Sequence, residues 1–205
     1  LGVEKLDFQT KAIYLFHKGY YFTFFVADPK KAIECLEVSK KLYKNQSYFG
    51  ARRELTLAIA KQMMGETALV LKSLDAIEKN FHPSSIMYLR SLHARVFVNL
   101  LSGNLLDARK DVEKFNFVSK DCKFKTLEAN SWCLRENIAL QLFDEDMVKH
   151  SFNSVRSFQG MLNYRMYFDA LAGLILYYSL KGNKKKTELL LLEMSDMASK
   201  LKDVR

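Results

Sequence analysis

Residues that interrupt helices are scarce in this chain. Only 2 prolines and 8 glycines occur among 205 residues, and these are the two residue types that most disfavour a helix interior. No segment shows the strict alternation of polar and apolar residues that is typical of a half-buried strand. The hydrophobic fraction of 49% is sufficient for a sizeable core. We therefore expect an all-α protein.

Patterns that carry catalytic or metal chemistry are also missing from the sequence. The 3 cysteines form no CxxC pair and their number is odd, which favours neither a zinc site nor a disulfide framework. The four histidines form no HExxH motif and no pair four residues apart. The sequence contains no GxxxxGK[ST] phosphate loop, no GxSxG and no GxGxxG. We expect no catalytic residues, no metal and no cofactor, and hence no enzyme.

Long apolar runs are absent too, because no stretch approaches the ~20 residues of a membrane-spanning helix. The N-terminal stretch LGVEKLDFQTK resembles neither a signal peptide nor the start of a complete chain. We interpret the chain as a fragment excised from a longer cytoplasmic protein. The net charge of +9 lies in short scattered clusters such as Lys184, Lys185 and Lys186. Solvated helix faces explain these clusters better than a dedicated groove for nucleic acid.

One pattern recurs five times, at offsets of 38, 38, 40 and 39 residues. Its polar helix-starting residues are Asp28, Glu66, Asn104, Asp144 and Asn183. The residues directly before them are Ala27, Gly65, Gly103, Phe143 and Gly182. Small or apolar residues follow four, eight and eleven positions after the polar residue in most copies, as in Ala108, Val112 and Phe115. Asp and Asn cap the orphan amides of a helix start, and glycine suits the tight turn before it.

This spacing predicts a repeat array, because each copy is a helical hairpin that cannot bury its apolar faces alone. We expect about five hairpins stacked into an α-solenoid with a right-handed superhelix. The hairpins form one domain, 1–205. The predicted repeats span approximately residues 6–44, 47–80, 84–119, 124–158 and 162–201.

The turn followed by Asn or Asp and a small residue resembles the tetratricopeptide repeat, with a period longer than the usual ~34 residues. Two stretches resemble the sensor region of MalT-like, ATP-dependent LuxR-type transcriptional regulators: YLRSLHARVFVNLLSGNLLDARKDVEKF, residues 88–115, and NYRMYFDALAGLILYYSLKGNKKKTELLLLEM, residues 163–194. Arg95, Arg135 and Glu136 depart from this resemblance, since they replace small or apolar residues in the first helix of a hairpin. We expect either that polar groups contact these residues or that the helices pack less closely there.

The resemblance implies a regulatory domain that senses a small effector or a partner protein. Inducer binding would release an autoinhibited ATPase and permit oligomerisation and transcription activation. DNA would be contacted only through a domain absent from this chain. The alternative is a tetratricopeptide-type protein-interaction scaffold with no role in transcription.

The resemblance also indicates a binding groove. In tetratricopeptide-like hairpins, residues about ten and thirteen positions before the turn residue point into the concave face. These positions include Arg52, Arg90, His93, Asn130 and Asp169. Two arginines one repeat apart suit carboxylates or phosphates, so the column is a candidate site for an anionic effector or an acidic peptide. The alternative is an ordinary solvated wall, with Arg52 or Arg90 paired to a local acid such as Glu54.

The first helical segment, IYLFHKGYYFTFFVAD, is apolar around its whole circumference. Such a helix is expected to be covered on all sides. We favour a further repeat upstream of Leu1 as the cover. A partner or a second copy is the alternative, with self-association burying Phe16, Tyr20 and Phe24.

Overall fold

The structure, a computed structural model, describes residues 6–44, 48–160 and 164–202. These residues form ten α-helices and no strand, as the all-α repeat prediction requires. The helices are α1 Phe8–Tyr21, α2 Pro29–Leu42, α3 Tyr48–Gln62, α4 Thr67–Asn80, α5 Ile86–Leu101, α6 Leu105–Asp121, α7 Lys125–Leu142, α8 Glu145–Ser157, α9 Tyr164–Leu180 and α10 Lys184–Lys202. A π-helical turn, Phe22–Val26, continues α1. The predicted repeat starts at 47 and 162, together with Asn163, lie outside the described residues.

The residue before each predicted helix start adopts a left-handed backbone conformation in all five copies. The φ angles are 57° at Ala27, 82° at Gly65, 74° at Gly103, 54° at Phe143 and 70° at Gly182. Within the two compact units, this conformation reverses the chain between paired helices, as in a glycine-terminated helix: α1 with α2, α3 with α4, α7 with α8 and α9 with α10. The five-fold register of the sequence therefore corresponds to a real structural repeat.

In three copies, the side chain of the helix-starting residue caps the helix. Asp28 accepts a hydrogen bond from the amide of Lys31 at 3.1 Å, and Asp144 accepts one from the amide of Met147 at 3.0 Å. Asn183 accepts a bond from the amide of Lys186 at 3.2 Å. Glu66 and Asn104 begin their helices without a side-chain cap bond. The helix starts thus agree with the sequence, but the capping bond is not common to all copies.

The three positions that follow each helix start form the core of the second helices in the first four copies. Their buried residues are Ala32, Leu36, Ser39, Val70, Leu74, Ile77, Ala108, Val112, Phe115, Val148, Phe152 and Val155. The fifth copy differs, because Leu191 is half exposed and Leu190 is buried instead. Helix α10 packs chiefly against α9, so a different stripe of α10 enters the core.

The chain forms two compact units, Leu1–Gly103 and Asn104–Arg205. In the N-terminal unit, each helix from α1 to α5 packs against the next, and α3 also packs against α1 and α5. Its core contains Phe16, Leu36 and Leu57 around α1, and a second cluster around Leu74 and Val98. In the C-terminal unit, α7 packs against α6, α8 and α9, and α9 packs against α10. Each unit therefore has its own apolar interior.

The N-terminal aromatic segment is partly covered by its own unit. Phe16 is only 1% exposed, and its ring lies 5.1 Å from the ring of Phe49. The prediction that Phe16 contributes to self-association is therefore wrong, because α2 and α3 already bury it. Phe24 and Phe25 remain exposed. None of the described helices combines the length and apolar character needed to cross a membrane.

Candidate functional site

Two arginines of the predicted column lie on neighbouring first helices of the N-terminal unit. Arg52 is on α3 and Arg90 is on α5, at equivalent positions of helices that pack together. The guanidinium carbon of Arg52 lies 5.4 Å from the centre of the Phe16 ring, a cation–π arrangement that holds the side chain in place. Both arginines are half-buried.

The expected local partner of these arginines is engaged elsewhere. Glu54 binds Lys40, with 3.1 Å between Nζ and Oε2. Among the residues that the structure describes, neither Arg52 nor Arg90 forms an ion pair with a carboxylate. The alternative in which Glu54 neutralises one of them is therefore wrong. Two guanidinium groups without carboxylate partners leave this face with positive charge.

The positive charge of Arg90 affects the pKa of His93. His93 lies one turn after Arg90 on α5 and is half-buried. Burial, together with the smaller effect of the positive charge of Arg90, lowers the pKa of His93 to about 4. The imidazole is therefore neutral near pH 7. An anion bound beside Arg90 would weaken this repulsion and raise the pKa of His93.

The two remaining residues of the column lie in the C-terminal unit. Asn130 is half-buried on α7, and Asp169 is exposed on α9, which packs against α7. Burial is the main cause that raises the pKa of Cys133 to about 12, and the negative charge of Asp169 contributes to this value. Cys133 follows Asn130 by one helical turn, so Asp169 lies near this part of α7. The predicted column therefore consists of two groups, one in each unit.

Glu136 is the most unusual polar residue of the C-terminal unit. Its side chain is 0% exposed, and neither carboxylate oxygen has a hydrogen-bond partner in the described part of the chain. Burial raises the pKa of Glu136 well above its usual range, so the carboxyl group stays protonated. One turn later, Leu140 packs so closely on Gly173 that a Cβ there would lie 2.6 Å from its Cδ1. Glu136 thus lies in the α7–α9 contact.

A first cleft that sequence reasoning missed lies between α2, α3 and α4, with a volume of about 850 Å³. Its cationic residues are Lys40, Lys41, Lys44 and Arg53. Arg53 is only 2% exposed, and its Nη1 donates to the carbonyls of Ser39 at 3.2 Å and Tyr43 at 2.7 Å. These bonds satisfy carbonyls at the end of α2, as cationic side chains commonly do at helix C-termini. Arg53 therefore has a structural role in this cleft.

A second cleft lies between α8, α9 and α10 of the C-terminal unit, with a volume of about 330 Å³. It combines three cationic side chains with an apolar wall. The only sequence signal for it was the cluster Lys184–Lys186, which we interpreted as solvated. Residues from three helices meet here, so their proximity depends on packing that no local pattern shows.

Metal-binding groups do not gather anywhere in the described ranges, since no three His, Cys, Asp or Glu side chains lie together as metal ligands would. No protein-family model, curated protein sequence or solved structure matches the chain.

Proposed function

We propose that this chain is a helical-repeat binding module that recognises an anionic effector or an acidic peptide. The observation that carries the proposal is the pair Arg52 and Arg90, which lie on adjacent first helices without carboxylate partners among the described residues. Like charges at equivalent positions repel each other. A bound anion would relieve that repulsion and accept charge-assisted hydrogen bonds of about 1.5–3 kcal/mol each before desolvation.

The geometry of Arg52 supports recognition rather than simple solubility. Stacking on Phe16 limits the freedom of the guanidinium group, so less side-chain entropy is lost when a ligand binds. Arginine also offers two parallel donors to a carboxylate or phosphate, which a solvated lysine does not. In the larger protein we propose, this module is the sensor region of a MalT-like, LuxR-type transcriptional regulator. That part of the proposal is supported by the sequence resemblance.

A protein-interaction scaffold unrelated to transcription is the second candidate. The exposed aromatic side chains at the end of α1, including Tyr21 and Phe25, favour it, because clustered exposed apolar groups mark interaction surfaces. The full-length gene discriminates between the two candidates. A phosphate-loop ATPase upstream and a helix-turn-helix domain downstream would establish the regulator, whereas their absence would leave the scaffold.

The experiment compares thermal stability of the wild type and the double variant Arg52→Ala/Arg90→Ala against sugars, phosphorylated sugars, organic acids and acidic peptides. A ligand that binds only the folded state raises the melting temperature of the wild type, and we expect the double variant not to respond. The matched control is Lys72→Ala/Lys79→Ala, which removes the same charge from exposed positions on α4. This control should respond like the wild type.

The pKa of His93 provides a second readout of ligand binding. When a ligand from the panel binds beside Arg90, the pKa of His93, measured by NMR titration of the imidazole, should rise from its value of about 4. If a ligand stabilises the wild type and the Arg52→Ala/Arg90→Ala variant equally, the effector site lies elsewhere. An unchanged pKa of His93 in the bound state would contradict the proposed location as well.

A further inference from the structure

The cleft between α8, α9 and α10 has a chemically divided lining. Its wall contains Phe152, Leu174, Tyr178, Leu189 and Leu190. Its cations are Lys149, Arg156 and Lys186. Glu193 is the one carboxylate among the described lining residues. A cleft with an apolar wall and a cationic edge suits a ligand that is both apolar and negatively charged.

Glu193 does not oppose such a ligand, because its charge is already compensated. Arg156 forms an ion pair with Glu193, and the Tyr167 hydroxyl donates a hydrogen bond to the other carboxylate oxygen at 2.9 Å. The Arg156 guanidinium carbon lies 4.9 Å from the centre of the Phe152 ring. This network fixes one side of the cleft, and the remaining cations of its lining are Lys149 and Lys186.

Three lysines of this region, Lys149, Lys181 and Lys186, lie near the carboxylate of Glu145. Lys149 binds Glu145 at 2.9 Å, and Lys181 approaches the same carboxylate at 3.8 Å. The pKa of Glu145 is lowered by the hydrogen bond and charge of Lys149, and also by Lys181 and Lys186. Lys186 itself lies 4.5 Å from the centre of the Tyr178 ring, and its Nζ is 3.4 Å from the Tyr178 hydroxyl. Glu145 therefore lies near three ammonium groups, and Asp146 adds negative charge near Lys149.

The first turn of α10 adds further positive charge to this region. The helix begins with Lys184, Lys185 and Lys186, and its first turn contains no acidic residue. The N-terminus of a helix favours negative charge, so three lysines there are unfavourably placed. An anion near Lys186 would interact favourably with both the lysines and the helix end.

We propose that this cleft is a binding site for a small amphipathic carboxylate. The carboxylate would bind Lys149 and Lys186, and the apolar part would pack on Leu174, Leu189 and Leu190. At roughly 30 Å³ for each non-hydrogen atom, the volume of the cleft corresponds to about ten such atoms. A medium-chain carboxylic acid has this size. The site is separate from the Arg52 and Arg90 face and takes a different ligand.

Isothermal titration calorimetry with octanoate, kept below its micelle-forming concentration, tests the proposal on the full chain. Acetate and inorganic phosphate test charge alone, and octylammonium tests the apolar chain with the opposite charge. We expect octanoate to bind about tenfold or more tightly than acetate, a difference that corresponds to burial of its methylene groups. Octylammonium should not bind.

Variants of the two lysines locate the charge. Lys186→Met keeps an apolar stem beside Tyr178 but removes the ammonium group, and Lys149→Gln removes the other. Each should weaken octanoate binding by about tenfold, the loss of one charge-assisted contact. Lys186→Arg keeps the positive charge and should bind octanoate like the wild type. Lys200→Gln, an exposed position on the same helix, should bind like the wild type. Circular dichroism confirms that each variant is folded.

Several results would overturn the proposal. Octanoate that fails to bind, or that binds no more tightly than acetate or phosphate, would exclude a divided site. Equal losses in Lys186→Met and Lys200→Gln would indicate nonspecific attraction to a basic surface. Octanoate binding should also persist in Arg52→Ala/Arg90→Ala, and its loss there would place the ligand in the N-terminal unit. Only the last of these results bears on the proposed function of the arginine face.

Discussion

Arg95, Arg135 and Glu136 are three charged residues on first helices that meet different surroundings. Arg95 pairs with Asp75 at 2.6 Å and Glu78 at 2.9 Å. Arg135 pairs with Glu113 at 2.7 Å and donates to the Ser151 hydroxyl at 3.0 Å. The expectation that something polar meets these residues is confirmed for both arginines. For Glu136 the structure has no polar partner among the described residues.

The unpartnered carboxyl of Glu136 predicts that replacing it stabilises the C-terminal unit. Glu136→Met removes a buried polar group that lacks a hydrogen bond, and we expect a gain of about 1–3 kcal/mol. Thermal melts at several pH values measure it. The folded state keeps the carboxyl protonated, because burial raises its pKa. The unfolded chain ionises above the ordinary value of 4.5, so wild-type stability falls as the pH rises from there toward the raised pKa.

The gain from Glu136→Met should therefore grow with pH across that window and be smallest near pH 4. Glu136→Gln is the matched control. It cannot ionise, so it removes the same pH dependence, but its buried amide still lacks partners and the gain at low pH should be small. A gain that stays constant with pH would mean that Glu136 is ionised in the folded protein.

The hairpin turns show how a repeat imposes one conformation on unlike residues. Three of the five turn residues are glycines, which adopt a left-handed φ without strain. Ala27 and Phe143 adopt the same conformation although their Cβ atoms oppose it. The sequence identified all five turns by spacing rather than by residue type. The strain at Ala27 and Phe143 could not be seen until the backbone was known.

Exchanging residues at two of these turns should give stability changes of opposite sign. A Cβ at Gly182 would meet open space, but its φ is 70°, so Gly182→Ala adds strain of about 1–2 kcal/mol. Alanine also reduces the conformational entropy of the unfolded chain, which favours folding by about 0.4–1 kcal/mol. The net loss of stability should be about 1 kcal/mol. Ala27→Gly reverses each effect and should stabilise by a similar amount. Urea midpoints at unchanged slope measure both, and two losses would contradict the turn assignment.

The second helices show where prediction from the sequence stops. Spacing correctly identified the buried stripe of α2, α4, α6 and α8. In α10 the same spacing selected Leu191, which is exposed, rather than Leu190. The stripe that enters a core depends on the helices that are present beside it. The cleft between α8, α9 and α10 was missed for the same reason.

At the scale of the whole molecule, α1 differs from the other first helices on two faces. Lys18 is exposed at the register position where Thr56, Ala94 and Leu134 are buried. At this position α1 therefore presents a lysine to solvent, where the other three helices bury their side chains. Exposed aromatic residues lie on the remaining surface of this segment: Tyr14, Tyr21, Phe24 and Phe25. When this chain is studied on its own, we predict that a second copy covers this aromatic surface.

Self-association should therefore weaken when this surface is made polar. The rings of Tyr21 and Phe25 stack at 5.9 Å with an interplanar angle of 17°, and both are exposed. Multi-angle light scattering at rising concentration should show dimers for the wild type and monomers for Tyr21→Ser/Phe25→Ser. Leu106→Ser/Phe117→Ser alters exposed apolar residues of α6 and should dimerise normally. A wild type that stays monomeric at high concentration would exclude this contact.

The division into two compact units, Leu1–Gly103 and Asn104–Arg205, makes the prediction of a single domain, 1–205, testable. Leu74 is fully buried in the N-terminal unit, so Leu74→Ala should destabilise that unit by about 2–5 kcal/mol. In a repeat protein, stability depends on each repeat and its nearest neighbours rather than on one shared core. We therefore expect amide hydrogen exchange to accelerate in α1–α5 and to change little in α6–α10. Ile138→Ala, at a fully buried position of α7, should produce the converse pattern. Equal acceleration throughout both units in either variant would mean that residues 1–205 unfold as one cooperative domain.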